Sequence, residues 1–346
     1  MTELLNRRVV LAARPNGRPV ATDFRIEDAA LPSLGEGEVL LKTLFLSLDP
    51  YMRGRMGLTK SYAAPVAIGG VMPGEAVSRV VQSRHPGWTE GDLVLAYSGW
   101  QQSSVSDGTG LRRVDSRITS PSTALGVLGM PGFTAYAGLR NVGCPKPGET
   151  VVVAAASGAV GSVVGQIARI RGARAVGITT GERKLSFVKD RLRFDDVVDH
   201  KAPDFAERLA AACPDGIDVY FENVGGAVWD AVFPLLNPFA RVPVCGLIAQ
   251  YNDGPGPRQG ADRLPGLMRE VLSRSLTVRG FIMTEYFASQ IGDYLNEATQ
   301  WVADDKLRWR EDVVEGLDGA PEALIGLLDG KNFGKVVVDV AGGTIP

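Results

Sequence analysis

Residues 151–168 read VVVAAASGAVGSVVGQIA: a short valine run, a cluster of small residues, then an apolar stretch at helical spacing. The run predicts a buried strand over Val151–Ala156 and a helix over Val160–Arg171, with Ala155–Gly161 as the turn between them. That turn has the spacing of a G-x-G-x-x-G fingerprint, with alanine in the first glycine's place. Small residues there let the backbone bend sharply and approach a pyrophosphate, whose charge meets the N–H groups of a helix N-terminus. An ordinary tight strand-to-helix turn uses the same residues, so the pattern takes its meaning from the chain beyond residue 171.

Strands and helices alternate there. A strand is expected at Arg174–Ile178, a helix near 182–191, a strand at Asp196–Asp199, a helix near 203–212, a strand at Asp218–Val224, a helix near 227–236 and a strand at Arg241–Gly246. Strands alternating with helices of this length imply a parallel sheet with helices on both faces, a doubly wound α/β domain. Before it, residues 1–125 carry short β-like runs, Glu38–Leu46, Glu75–Val81 and Asp92–Tyr97, separated by Gly, Pro and Asp. They suggest a compact β-rich domain. After it, Asn332–Val340 is strand-like with no helix behind it, and is expected to return to the β-rich domain. The expected division is therefore 1–125, 126–304 and 305–346, with the first and last pieces forming one discontinuous domain. Residues 253–260, DGPGPRQG, read as a mobile surface loop and a candidate lid.

In a doubly wound sheet, ligands lie across the carboxyl ends of the strands. Asn223, in Glu222-Asn223-Val224-Gly225-Gly226, stands at such an end and is a candidate ribose contact; the competing reading is a cap on the following helix. An NAD site usually has an acid about 20 residues beyond the glycine turn, bonding the ribose 2′-hydroxyl. Here the segment is Gly177-Ile178-Thr179-Thr180-Gly181-Glu182-Arg183-Lys184, with no carboxylate at the strand tip. Thr179, Arg183 and Lys184 suit a 2′-phosphate, so NADPH is favoured over NADH. Solvated helix cations would look the same.

The 37 basic and 39 acidic residues nearly cancel, which gives no reason to expect a nucleic-acid partner. Three scattered cysteines, Cys144, Cys213 and Cys245, make no CxxC pair and no disulfide framework, consistent with a reducing cytoplasmic location. No run approaches the ~18 apolar residues of a membrane span. With only His85 and His200 beside those cysteines, the ligand set for zinc is missing, and no metal is expected. Charge developing on a substrate oxygen would then fall to hydrogen-bond donors such as Tyr51 and Tyr251, although either tyrosine could simply pack or sit in a surface loop.

Taken together, SLDPYMRGRM at 47–56, VLGMPGFTAYAGL at 127–139, residues 148–168, DVYFENVGG at 218–226, PVCGLIAQYN at 243–252 and GKNFGKVVV at 330–338 resemble one family nearly end to end. It is the zinc-independent branch of the medium-chain dehydrogenase/reductases, in particular the bacterial curcumin reductases, prostaglandin reductases and 2-alkenal reductases. The resemblance implies a GroES-like domain split around a Rossmann domain, usually in a homodimer, and NADPH-dependent reduction of enones or enals. It further implies that Ser157, Gly158, Ala159, Val160 and Gly161 line the pyrophosphate, that Lys184 meets the 2′-phosphate, and that Asn223 lies on the ribose-nicotinamide side. Cys245, Gly246 and the residues on to Tyr251 would flank the cofactor, with Phe281, Ile282 and Met283, and Asn332 would reach it from the returning strand. Tyr251 matches the tyrosine assigned to enolate stabilisation or proton donation, and Tyr51 one lining the substrate site. His200 replaces a tyrosine that mammalian relatives have near the 2′-phosphate. A quinone or carbonyl oxidoreductase and a non-enzymatic NADPH-binding protein are the competing functional readings.

Overall fold

Val151, Val152, Val153 and Ala154 are all fully buried, as a parallel strand covered on both faces must be. They form β1 (Thr150–Ala154) of a six-stranded sheet in the computed structural model, which describes residues 5–59, 61–115, 120–253 and 263–342. The other strands are β2 (Arg174–Thr179), β3 (Asp196–Asp199), β4 (Ile217–Phe221), β5 (Leu236–Val244) and β6 (Thr277–Gly280). Their order is β3-β2-β1-β4-β5-β6, every pairing parallel. The chain thus leaves β1 in one direction and restarts on its other side with β4. Between those two strands lies the switch point where doubly wound sheets hold ligands.

Helix α1 (Gly161–Ile170) packs along β1 and β2, and Gly165 admits the Phe194 ring, which a Cβ there would overlap. The helix expected near 227–236 is α-helical only over Gly226–Val232, and the turn Phe233–Leu235 that ends it contains Pro234. Strand β5 accordingly begins earlier than the sequence pattern suggested. Helices Leu264–Ser273 and Thr284–Ala303 flank β6 in the chain.

The chain separates into two units, residues 1–126, 251–255 and 311–346 in the first and 127–250 and 256–310 in the second. The second boundary falls at 310/311 rather than 304/305, because Gln166 bonds both backbone groups of Arg308 at 2.8 Å and keeps 305–310 on the parallel-sheet unit. The first unit is a largely antiparallel sheet in the order Glu311–Glu315, Lys335–Asp339, Val39–Ser47, Ala76–Ser83, Leu93–Ala96, Arg112–Arg113, with a separate Leu5–Leu11/Phe24–Ala30 hairpin. Lys335–Asp339 pairs antiparallel with Val39–Ser47, so the C-terminal strand completes a sheet begun near the N-terminus. This is the Rossmann-plus-GroES-like class read from the sequence.

Candidate functional site

The turn after β1 is shaped by two backbone constraints. Ala155 has φ +53°, a left-handed conformation that costs an L-residue roughly 1–2 kcal/mol. Its carbonyl accepts the Gly158 N–H at 2.9 Å, and a Cβ on Gly161 would overlap that same oxygen. Helix α1 therefore begins close against the strand end. No side chain caps its first turn, where the Ser162 and Val163 N–H groups donate to the Gly158 and Val160 carbonyls at 3.0 Å. Ser157 is buried, with its hydroxyl 3.4 Å from that of Thr179, so the tips of β1 and β2 meet.

At the tip of β2, the carbonyl of Thr179 accepts a hydrogen bond from His200 Nδ1 at 2.8 Å. A carbonyl only accepts, so Nδ1 carries the proton and Nε2 can donate only when the ring is charged. Lys184 is half-buried in the short helix Glu182–Ser186. An acid does stand at this tip, but on the neighbouring strand, where a reading along the chain does not find it: Asp199 pairs with Thr179 across the sheet. Its carboxylate accepts the N–H groups of Lys201 at 2.8 Å and Gly181 at 3.2 Å. Burial works to raise its pKa, but those bonds outweigh it and hold the carboxyl below its ordinary range. Its charge is thereby spent on shaping the Gly181 turn.

Asn223 does not cap the next helix, whose N-cap is Gly225. Its Nδ2 instead donates to the carbonyl of Ala154 at 2.9 Å, tying the end of β4 to the end of β1 across the switch point. Gly225 and Gly226 have φ of +76° and +60°, which explains why glycine is needed at both positions. Glu222, to which the sequence reading gave no role, is buried. Its Oε1 accepts from Tyr220 Oη at 3.0 Å, Val224 N at 2.6 Å and Gly225 N at 2.9 Å. Burial raises its pKa. Cys245 and Gly246 donate their N–H groups to the Glu222 carbonyl at 2.9 and 3.1 Å, and burial pushes the Cys245 thiol up to about 12, so it is no nucleophile at neutral pH. Phe281 packs edge-on against Phe221 at 6.0 Å, while Ile282 and Met283 lead half-buried into helix Thr284–Ala303.

Tyr51, Tyr251 and Asn332 belong to the first unit. Tyr51 precedes the short helix Met52–Arg55, and its hydroxyl lies 3.2 Å from that of Tyr97. Burial, then the charge of Asp49, raises the Tyr51 pKa and keeps the phenol protonated. Tyr251 is half-buried beside Asn252. Asn332 donates to the carbonyl of Gly334 at 2.8 Å, and the adjacent Phe333 and Gly334 N–H groups both bond Asp312. Of the 253–260 loop, residues 254–260 lie outside the described residues.

This fold and site define a dinucleotide-binding oxidoreductase, and the chain belongs to the medium-chain dehydrogenase/reductase family. Residues 7–114 match the model for the N-terminal domain of oxidoreductase and 159–303 that for zinc-binding dehydrogenase. It is 55% identical to the NADPH-dependent curcumin reductase of Escherichia coli over 97% of both chains. It is 38% identical to the NADP(+)-dependent 2-alkenal reductase of Nicotiana tabacum over 98% of both. A crystal structure of CurA from Vibrio vulnificus in complex with NADPH superposes with a TM-score of 0.93 at 52% identity, covering 96% of this chain and 99% of that one. Among the described residues no group of three or more His, Cys, Asp or Glu side chains is placed to hold a metal ion.

Proposed function

We propose that this protein is an NADPH-dependent reductase of the carbon–carbon double bond in α,β-unsaturated ketones and aldehydes. The observation that carries the reading is the uncapped start of α1 at the switch point, closed by the Asn223–Ala154 bond, in a chain so similar along its whole length to NADPH-dependent reductases. Ser157, Gly158, Ala159, Val160 and Gly161 would receive the pyrophosphate, and Thr179, Lys184 and His200 the 2′-phosphate. Asn223, Cys245, Gly246, Phe281, Ile282 and Met283 would position the ribose-nicotinamide end. When bound, NADPH supplies the hydride for the β-carbon of the enone. Tyr251 holds the resulting enolate oxygen by a hydrogen bond and delivers or relays the proton that reaches the α-carbon, a role worth ~10²-fold in turnover. Tyr51, kept as a neutral phenol, lines the substrate site as a hydrogen-bond donor.

We further propose a cytoplasmic homodimer of two discontinuous-domain chains. The location is supported by three cysteines that form no disulfide. No helix among the described residues is long and apolar enough to cross a membrane. The dimer is supported by β6, an edge strand whose four residues are all exposed, and by the exposed Leu264, Met268 and Leu272 at i, i+4 and i+8 on the helix before it. An uncovered edge of this kind pairs readily with a two-fold copy.

The test is oxidation of NADPH and, separately, NADH by the purified protein with a linear enal, a cyclic enone, curcumin and a quinone, products identified by mass. A saturated carbonyl product with NADPH strongly preferred is expected. A hydroquinone or an alcohol as the sole product would transfer the assignment to a quinone or carbonyl oxidoreductase, and tight NADPH binding without turnover would make the chain a binding protein.

A further inference from the structure

Arg53 is buried in the first unit, two residues beyond Tyr51 in the helix Met52–Arg55. Burying a guanidinium is costly unless its charge is paired and its donors are used. Among the described residues Arg53 makes no ion pair; Asp23 attracts it only from a distance, and desolvation lowers its pKa. What it does make are two bonds to separate loops: Nε donates to Asn252 Oδ1 at 3.2 Å, and Nη2 donates to the Gly17 carbonyl at 2.7 Å. The Gly17 turn in turn lies against the backbone of Asn252, since a Cβ on Gly17 would stand 3.8 Å from the Asn252 carbonyl oxygen. One buried cation thus grips the residue next to Tyr251 from its side chain, while the turn it also holds supports that residue's main chain.

We infer that Arg53 is a positioning residue for Tyr251. The short helix that presents Tyr51 directly also sets the place of Tyr251, through Arg53 and Asn252, so both tyrosines are referenced to one rigid element. This rests on the reading of Tyr251 as the enolate-binding or proton-donating group. On this reading Arg53 acts through Asn252 and the Gly17 turn. Lysine cannot replace it, because a single ammonium on a flexible stem lacks the fixed fork that reaches Asn252 and Gly17 together.

The experiment compares wild type, Arg53→Lys, Asn252→Ala, Tyr251→Phe and the two double variants in the Tyr251→Phe background, measuring kcat and KM for an enone, the NADPH dissociation constant and the melting temperature. A misplacement near 1 Å can cost ~10²-fold. Arg53→Lys and Asn252→Ala should therefore each lower kcat about tenfold or more in the wild-type background, with NADPH affinity unchanged. In the Tyr251→Phe background both should change kcat less than about twofold, because the group they position is gone. Asn252→Ala keeps the test valid should Arg53→Lys melt too low to assay. If Tyr251→Phe slows turnover but the other losses multiply with it, or are absent, Arg53 does not act through Tyr251 and the inference falls alone. Wild-type turnover in Tyr251→Phe would remove Tyr251 from the chemistry and the inference with it.

Discussion

Replacing Lys335 by methionine should markedly destabilise the first unit. Lys335 and Asp49 side chains are 4% and 7% exposed, 286 residues apart in sequence and joined at 2.6 Å. The other two ammonium protons go to Ser47 Oγ at 2.7 Å and the Leu48 carbonyl at 2.8 Å, while the Ser47 hydroxyl donates to the second Asp49 oxygen. Methionine keeps most of the volume but removes all three donors. Stripping one partner from a buried ion pair costs about 3–5 kcal/mol. The loss should thus be about 3–5 kcal/mol. The assay is hydrogen exchange of the Lys335–Asp339 amides, which reports this unit's own opening free energy after correction for intrinsic rates. In Lys335→Met/Asp49→Asn, with both charges gone, the loss should be smaller than the sum of the single losses by at least ~1 kcal/mol. A loss below ~1 kcal/mol, or simple additivity, would refute the argument that burial makes this pair critical.

Two further outcomes are expected. The bond between His200 Nδ1 and the Thr179 carbonyl anchors the ring at the tip of β2, so His200→Ala should weaken NADPH binding while NADH binding stays unchanged. Titration calorimetry checks this, and unchanged NADPH affinity in the variant would exclude the ring from the 2′-phosphate site. Val278→Lys places a charge on the exposed β6 edge and should convert a dimer to a monomer in light scattering without loss of fold; a dimer that persists would mean that copies associate elsewhere.

The doubly wound class was legible because its signals are local. Valine runs at β1 and β2, small residues at the first turn and helical spacing behind them each act within a few residues of chain, and buried parallel strands read as continuous apolar segments. The return of the C-terminal strand was also visible, as a strand pattern with no helix after it. The ENVGG stretch shows where such reading stops. It located a sharp turn at a strand end, and the positive φ of Gly225 and Gly226 agrees with that, but it read Asn223 as a ribose contact with a helix cap as the competing reading. Its actual partner, the Ala154 carbonyl, is 69 residues away and has no signature near Asn223.

The sequence by itself determined the class of fold, the strand that returns to the β-rich unit and the place of the sharp small-residue turn after β1. Only the tertiary structure decided which strands are neighbours, and therefore that Asp199 stands beside Thr179, that Glu222 is buried with its charge disfavoured, that Lys335 meets Asp49 and that Arg53 reaches Asn252. The reason is physical. Periodicity and turn chemistry are short-range properties of the chain, whereas a polar side chain's partner in the interior is set by strand order and register. Whether burial there is tolerable depends on bonds that form only once distant segments have packed.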